Sequence, residues 1–255
     1  MQFVRFENKS KEICYGTIEG EKITQIEGSI FGKYVLTDVL YRIDDVELLY
    51  PCVPQNLYCV GLNFAAHIQE LDLPTPEKPA NFMKPVTGVV NPGEAICRPK
   101  VTKRVDYEGE MALVIKDKIK NVTPEEALQH VLGVTPLNDV TERMMSYNST
   151  QVTYSKSFDS FTSFGPVIDT DIDPENAIVR TYLNGDKVQE GYTSDFVFSC
   201  AHIVSYFSQG RTLYPGDIIS TGTPSNVQPM MAGDIVEVEI EGIELRCINP
   251  VEDEK

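Results

Sequence analysis

The sequence predicts a mostly β, α+β protein with few helices. Three observations lead there. Short apolar runs alternate with Gly-centred turns through the first fifty or so residues. Ile235-Val236-Glu237-Val238-Glu239-Ile240 alternates apolar and polar side chains strictly, the period of a half-buried strand. Only one helix is signalled strongly, by the capping box Thr123-Pro124-Glu125-Glu126 with Pro at the first helical position.

In chain order, Ile13-Cys14-Tyr15 and Lys22-Ile23-Thr24-Gln25-Ile26 read as strands, with turns at Glu19-Gly20-Glu21 and Glu27-Gly28-Ser29. Pro51 and Pro54 mark a boundary; the chain is long enough for one large domain or for a large one, 53–255, with a small N-terminal β domain, 1–52, and the second division is the one expected. Leu57-Tyr58-Cys59-Val60 is a strand ending at Gly61, and 63–71 is helix-like. Residues 72–80 hold three prolines, too many for a helix or a central strand, so they form a loop beside that helix, of the kind that serves as a lid. Met111-Ala112-Leu113-Val114-Ile115 is a strand. The helix opened by Thr123 is expected to run until Gly133 stops it, and a second helix covers 198–209 and ends at Gly210. The C-terminal third is hairpin-like, with Pro215-Gly216-Asp217 before Ile218-Ile219-Ser220-Thr221 and Gly233-Asp234 before the alternating strand. No internal repeat or low-complexity segment is present.

Composition restricts the function classes. A chain of 255 residues with 42% hydrophobic residues can bury a sizeable core. A net charge of -16 argues against nucleic acid or an anionic membrane as partner, and means that an acidic substrate must be captured by local cations. The six cysteines are scattered without a C-x-x-C, which fits neither a zinc site nor a disulfide framework. Met1-Gln2-Phe3-Val4-Arg5 leads directly into strand-like sequence, no signal peptide is visible, and no apolar run approaches the roughly 18 residues of a membrane span; a cytoplasmic protein is expected. The sequon Asn148-Ser149-Thr150 carries no weight without secretion.

The chemistry concentrates in Asp106-Tyr107-Glu108-Gly109-Glu110. Side chains at i and i+2 of a strand share a face, so Glu108 and Glu110 point one way, and two parallel anions repel unless a cation lies between them. With Asp139, just past the apolar stretch Val131-Leu132-Gly133-Val134, they suggest a carboxylate-only site for a hard divalent cation. His67 and Glu70, three apart on a helix, are neighbours, and a carboxylate beside an imidazole makes a general base for water. His130 and His202, inside the other helices, read as structural. Lys156, flanked by aromatics and small polar residues in Tyr154-Ser155-Lys156-Ser157-Phe158, is expected to be half-buried with a lowered pKa, acting on an oxyanion or a proton rather than on the fold. Arg143 is placed to grip a substrate carboxylate, or else to pair with Asp139 or Glu142. Thr221-Gly222-Thr223-Pro224 ends a strand with a turn whose N–H groups suit an anion.

Together with Asn63-Phe64-Ala65, Phe82-Met83-Lys84-Pro85, Asn138-Asp139-Val140-Thr141, Ser155-Lys156-Ser157-Phe158-Asp159, Gly165-Pro166 and Gly216-Asp217-Ile218-Ile219, these motifs resemble the fumarylacetoacetate hydrolase family over about residues 55 to 245. The resemblance implies a β-rich catalytic fold with a small N-terminal domain, usually a homodimer. It implies Mg²⁺ or Mn²⁺ held by Glu108, Glu110 and Asp139, with Lys156 a catalytic lysine and Thr223 and its neighbour Gly222 at the substrate. His67 and Glu70 match the water-activating pair of the acylpyruvate-cleaving members. Two departures bear on the substrate: Leu62 stands where members often carry Arg, and Arg143 is followed by Met144-Met145-Ser146 where they often carry Asp and a further Gln. The expected substrate is a small dicarboxylate or diketo acid, and the expected reaction is hydrolysis of a C–C bond in a 2,4-dioxo acid. The nearest rival is decarboxylation or tautomerisation of oxaloacetate, or isomerisation of a 2-hydroxy-dienedioate. A non-catalytic metal- or metabolite-binding protein on the same scaffold is disfavoured by the retention of Lys156, His67, Glu70 and all three acids.

Overall fold

The computed structural model describes residues 1–148 and 152–255; Ser149 and Thr150 of the sequon lie outside the described residues. A 13-stranded mixed sheet runs through strands Tyr34–Arg42, Lys22–Gly28, Ile13–Glu19, Gln2–Glu7, Val167–Asp169, Val131–Asp139, Gly109–Ile115, Ile218–Ser220, Leu57–Gly61 and Ala80–Lys84 in spatial order, with three shorter strands off this path. The N-terminal meander continues the large sheet, because Gln2–Glu7 pairs antiparallel with Val167–Asp169. A second, five-stranded sheet holds the alternating strand Ile235–Ile240, which buries every second residue as its pattern requires.

Strand Gly109–Ile115 is buried over its whole length, which is why its sequence is continuously apolar after Glu110 rather than alternating. Its pleat feeds two cores. Met111, Leu113 and Ile115 pack with Ile203, Val204 and Phe207 of helix Cys200–Ser208 and with Val179, Val238 and Ile240 of the second sheet. Ala112 and Val114 face the opposite cluster, with Phe3, Leu57 and Ile168. Burial of aliphatic side chains of this size stabilises by roughly 1.5–3 kcal/mol each.

The helices are shorter than the sequence reading. The lid-side helix is Ala65–Glu70, and the Pro-rich segment after it is a loop as expected. The capping box at Thr123 forms, but the helix it opens is only Pro124–Ala127, followed by a 3₁₀ turn, Leu128–His130. Gly133 does not stop it; it lies inside strand Val131–Asp139. A Cβ there would stand 2.2 Å from the Asp169 carbonyl oxygen, so close strand approach and not helix termination requires glycine. Helix Cys200–Ser208 starts later than 198 because Ser199 is its N-cap, accepting from the His202 N–H at 3.2 Å. Ile218–Ser220 is no hairpin arm: it sits centrally, parallel to Leu57–Gly61 and antiparallel to Gly109–Ile115. Among the described residues no helix is long and apolar enough to cross a membrane.

Candidate metal and active site

The acids meet because of strand register. Gly109 pairs with Asn138 and Glu110 with Leu137, which sets Glu108 opposite Asp139 and puts all three acids on one face. One carboxylate oxygen from each of Glu108, Glu110 and Asp139 lies within 4.8 Å of the others, and all three residues are buried. The residue between the glutamates must be glycine, since a Cβ on Gly109 would stand 1.9 Å from Thr181 Oγ1. Gln189 braces this point, accepting from the Gly109 N–H (3.2 Å) and donating to Thr223 Oγ1 (3.0 Å) and the Pro224 carbonyl (2.9 Å).

The three acids have unequal surroundings. Lys156 Nζ donates to Glu108 (2.7 Å), Asp139 (2.6 Å) and Thr141 (2.7 Å). Arg143 donates to Asp106 (2.9 Å) and also to Glu108. Glu108 therefore has two cations, which overcome the opposing effect of burial and hold its carboxyl well below the usual range. Asp139 is paired with Lys156 and with Lys84, whose ammonium also donates to the Phe161 carbonyl at 2.6 Å. Glu110 receives only the Ser220 hydroxyl and the Gly222 N–H (2.8 Å), with no ion pair among the described residues. Burial, then Asp139 and Glu108, push its carboxyl up to about 8. A buried oxygen cage of three acids, with no His or Cys among them and one acid lacking a counter-ion, fits a hard divalent cation such as Mg²⁺ or Mn²⁺.

Three sequence expectations need correction. Lys156 is buried, not half-buried, and its pKa is raised: burial alone would lower it, but Asp139 and Glu108 override that. It is also part of the charge balance of the folded core, so it is not separate from the fold. Arg143 bonds Asp106 and Glu108, where the sequence offered Asp139 or Glu142, and Glu142 accepts from the backbone N–H groups of Lys103 (3.0 Å) and Arg104 (3.1 Å). The Gly222 N–H meets Glu110, so this turn serves an acid of the site. Thr223 lines the cavity with its hydroxyl donated to the Gly109 carbonyl at 3.0 Å.

His67 and Glu70 do meet: Nδ1 lies 2.9 Å from the Glu70 carboxylate. The Asn226 N–H at 3.0 Å holds Glu70 from behind. The other histidines are structural, His130 against Asp117 at 3.2 Å and His202 stacked on Phe198. Sequence reasoning assigned no role to Lys84, Ser220 or Gln189; Lys84 alone had a signal, in Phe82-Met83-Lys84-Pro85.

One cavity of about 430 Å³ collects His67, Glu108, Glu110, Arg143, Lys156 and Thr223, in the size range of small-molecule sites. A larger, more open depression among the N-terminal strands holds none of these residues and is lined by groups already paired, such as Lys9 with Asp45 at 2.5 Å.

A mixed β fold in which one cavity is lined by an imidazole, a buried lysine and two of three clustered buried acids defines a small-molecule enzyme scaffold with an acid cluster of the kind that can hold a metal. The chain belongs to the fumarylacetoacetate hydrolase family: the family model "Fumarylacetoacetate (FAA) hydrolase C-terminal" matches residues 56–251, and the model "Rv2993c-like, N-terminal" matches residues 1–51. An uncharacterized protein of Methanocaldococcus jannaschii is 42% identical over 220 residues, 86% of this chain and 92% of that protein. The mitochondrial oxaloacetate tautomerase of Xenopus laevis is 38% identical over 81% of this chain and 69% of its own length. The crystal structure of a 5-carboxymethyl-2-hydroxymuconate delta-isomerase from Mycobacterium smegmatis superposes with a TM-score of 0.92 at 34% identity, covering 100% of both chains.

Proposed function

We propose that this protein is a divalent-cation-dependent hydrolase that cleaves the C3–C4 bond of a 2,4-dioxo acid, giving pyruvate and a carboxylic acid. The observation that carries the reading is His67, backed by the Glu70 carboxylate at 2.9 Å, in the wall of the cavity that Glu108, Glu110 and Lys156 also line. Mg²⁺ or Mn²⁺, held by Glu108, Glu110 and Asp139, would supply Lewis-acid stabilisation of negative charge developing on the substrate. With Nδ1–H turned to Glu70, His67 keeps the Nε2 lone pair for a proton from water, whose oxygen adds to C4. Lys156 would exchange one of its contacts to Glu108, Asp139 or Thr141 for the oxyanion formed there. As the C3–C4 bond breaks, the proton collected by His67 passes to C3.

A second reading, tautomerisation of oxaloacetate or isomerisation of a hydroxy-dienedioate, is supported by the names of the Xenopus and Mycobacterium relatives. It needs the acids and Lys156 but no activated water. The deciding experiment is a panel of acylpyruvates, oxaloacetate and 2-hydroxy-dienedioates with Mg²⁺ or Mn²⁺ and an EDTA control. His67→Ala and Glu70→Ala should each lower acylpyruvate cleavage by at least about a hundredfold and leave metal affinity unchanged. Glu108→Ala, Glu110→Ala and Asp139→Ala should lower both. Wild-type cleavage rates in His67→Ala, or no cleavage by the wild type, would hand the site to the second reading.

A further inference from the structure

The wall of the cavity opposite in character to the acids is apolar. Leu62, Leu71, Leu73, Phe82 and Val152 line it, and none of them is fully buried, so a ligand would cover surface that is now exposed. Leu62 is fixed there by its neighbours. It adopts a left-handed φ of 55°, which is unfavourable for a leucine. Asn63, next to it, is locked by bonds to the Thr221 carbonyl (2.8 Å) and the Phe198 N–H (2.9 Å). Phe82 joins the two regions, with Lys156 Nζ 5.0 Å from its ring centroid.

The cations of the cavity are the second observation. Among its described lining residues only Arg143 and Lys156 carry a fixed positive charge; both bond acids of the site, and on the proposed reading the contact Lys156 exchanges goes to the oxyanion at C4, not to the tail. Residues 147–151, Tyr-Asn-Ser-Thr-Gln, include no Lys or Arg. A carboxylate at the far end of a substrate would therefore lose its water against leucine and phenylalanine without a counter-ion, in a chain of net charge -16.

On the proposed reading of this site as one for 2-oxo and 2,4-dioxo acids, we infer that the substrate is a monoacid with an uncharged, apolar tail, and that Leu62 is a specificity-determining residue for that tail. Such a tail covers the exposed leucines and gains hydrophobic energy that a charged tail forfeits.

The test separates tail preference from chemistry. Binding of 2-oxoheptanoate and 2-oxoheptanedioate, which differ in the tail carboxylate and lack the 4-oxo group that cleavage needs, is measured by calorimetry on the Mg²⁺- or Mn²⁺-loaded protein. The wild type should bind the monoacid at least about tenfold more tightly. Leu62→Arg, which puts a cation in place of the isobutyl group, should abolish or invert that ratio. Turnover of 2,4-dioxoheptanoate against 2,4-dioxoheptanedioate should follow the same order. Equal or tighter binding of the diacid by the wild type, or no binding of either compound, overturns the inference, whether or not the variant folds. Preferential monoacid binding with no cleavage of either dioxo acid leaves the tail preference standing and removes the hydrolase reading instead.

Discussion

Lys156→Met keeps the length of the side chain and removes its charge, so it probes how the acid cluster is neutralised. In the folded protein Lys156 bonds two buried carboxylates, Glu108 and Asp139, at 2.7 and 2.6 Å. Breaking a buried ion pair from one side costs about 3–5 kcal/mol, because the partner charge is left without compensation. Arg143 still serves Glu108 and Lys84 still serves Asp139, which places the expected loss toward the lower figure. In a protein of this size 1 kcal/mol moves Tm by about 2–4 °C, so the metal-free variant should melt roughly 6–12 °C below the wild type. Adding Mg²⁺ or Mn²⁺ supplies the missing positive charge. The rise in Tm at a given metal concentration should therefore be larger in the variant, and turnover should still fall by at least about a hundredfold. Differential scanning calorimetry with and without metal measures both shifts. A metal-free variant as stable as the wild type, with an equal metal-induced shift, would refute the view that Lys156 balances the acids.

Glu110 is pushed up to about 8, so near pH 7 the metal-free site holds a proton that the cation must displace. Metal uptake should release about one proton near pH 7 and fewer as the pH passes 8, read by calorimetry in buffers of different ionisation enthalpy; a heat independent of buffer would contradict this. The same raised pKa means that the folded state binds the extra proton, so its contribution to metal-free stability falls as pH rises from the ordinary carboxyl range toward about 8. Gly133→Ala drives a Cβ against the Asp169 carbonyl and should destabilise by about 1–3 kcal/mol or more in urea titrations, whereas a neutral result would mean that the two strands separate freely. Gln189→Leu strips partners from the Gly109 N–H and the Pro224 carbonyl and should lower stability by about 1–3 kcal/mol per group left buried and unpaired; a Tm equal to that of the wild type would show that water or a backbone shift replaces the amide.

Local pattern made much of this molecule legible. The i, i+2 spacing put Glu108 and Glu110 on one face, and the i, i+3 spacing put His67 beside Glu70, because both pairings depend only on the period of one element. The alternating strand Ile235–Ile240 and the capping box at Thr123 were readable for the same reason. What failed depended on contacts between distant segments. Gly133 looks like a helix stop until strand Val167–Asp169 is laid beside it. Lys156 looks like a lone lysine until Asp139 and Glu108 close on it, and their charge reverses the pKa direction that burial alone predicts. Arg143 could not be matched to Asp106 by sequence distance, since 37 residues separate them. Ser220 and Gln189 carry no motif; only the sheet order brings them to the acids.

The register that sets Glu108 opposite Asp139 has a consequence for how such a protein can change. The charge centre is written into two adjacent, fully paired strands of the sheet interior, where a slip of one residue would turn every acid to the other face. The surfaces that would meet a substrate's tail belong to other parts: the turn after Gly61, Leu71 and Leu73 at the start of the proline-rich loop, and the edge strand Ala80–Lys84. Substitutions of Leu62, Leu71, Leu73 or Phe82 should alter which tail is accepted while the acids stay in place. The acids thus sit on segments of very different tolerance from those that carry the leucines, and a change of substrate preference on this scaffold need not rebuild the sheet that holds the acids.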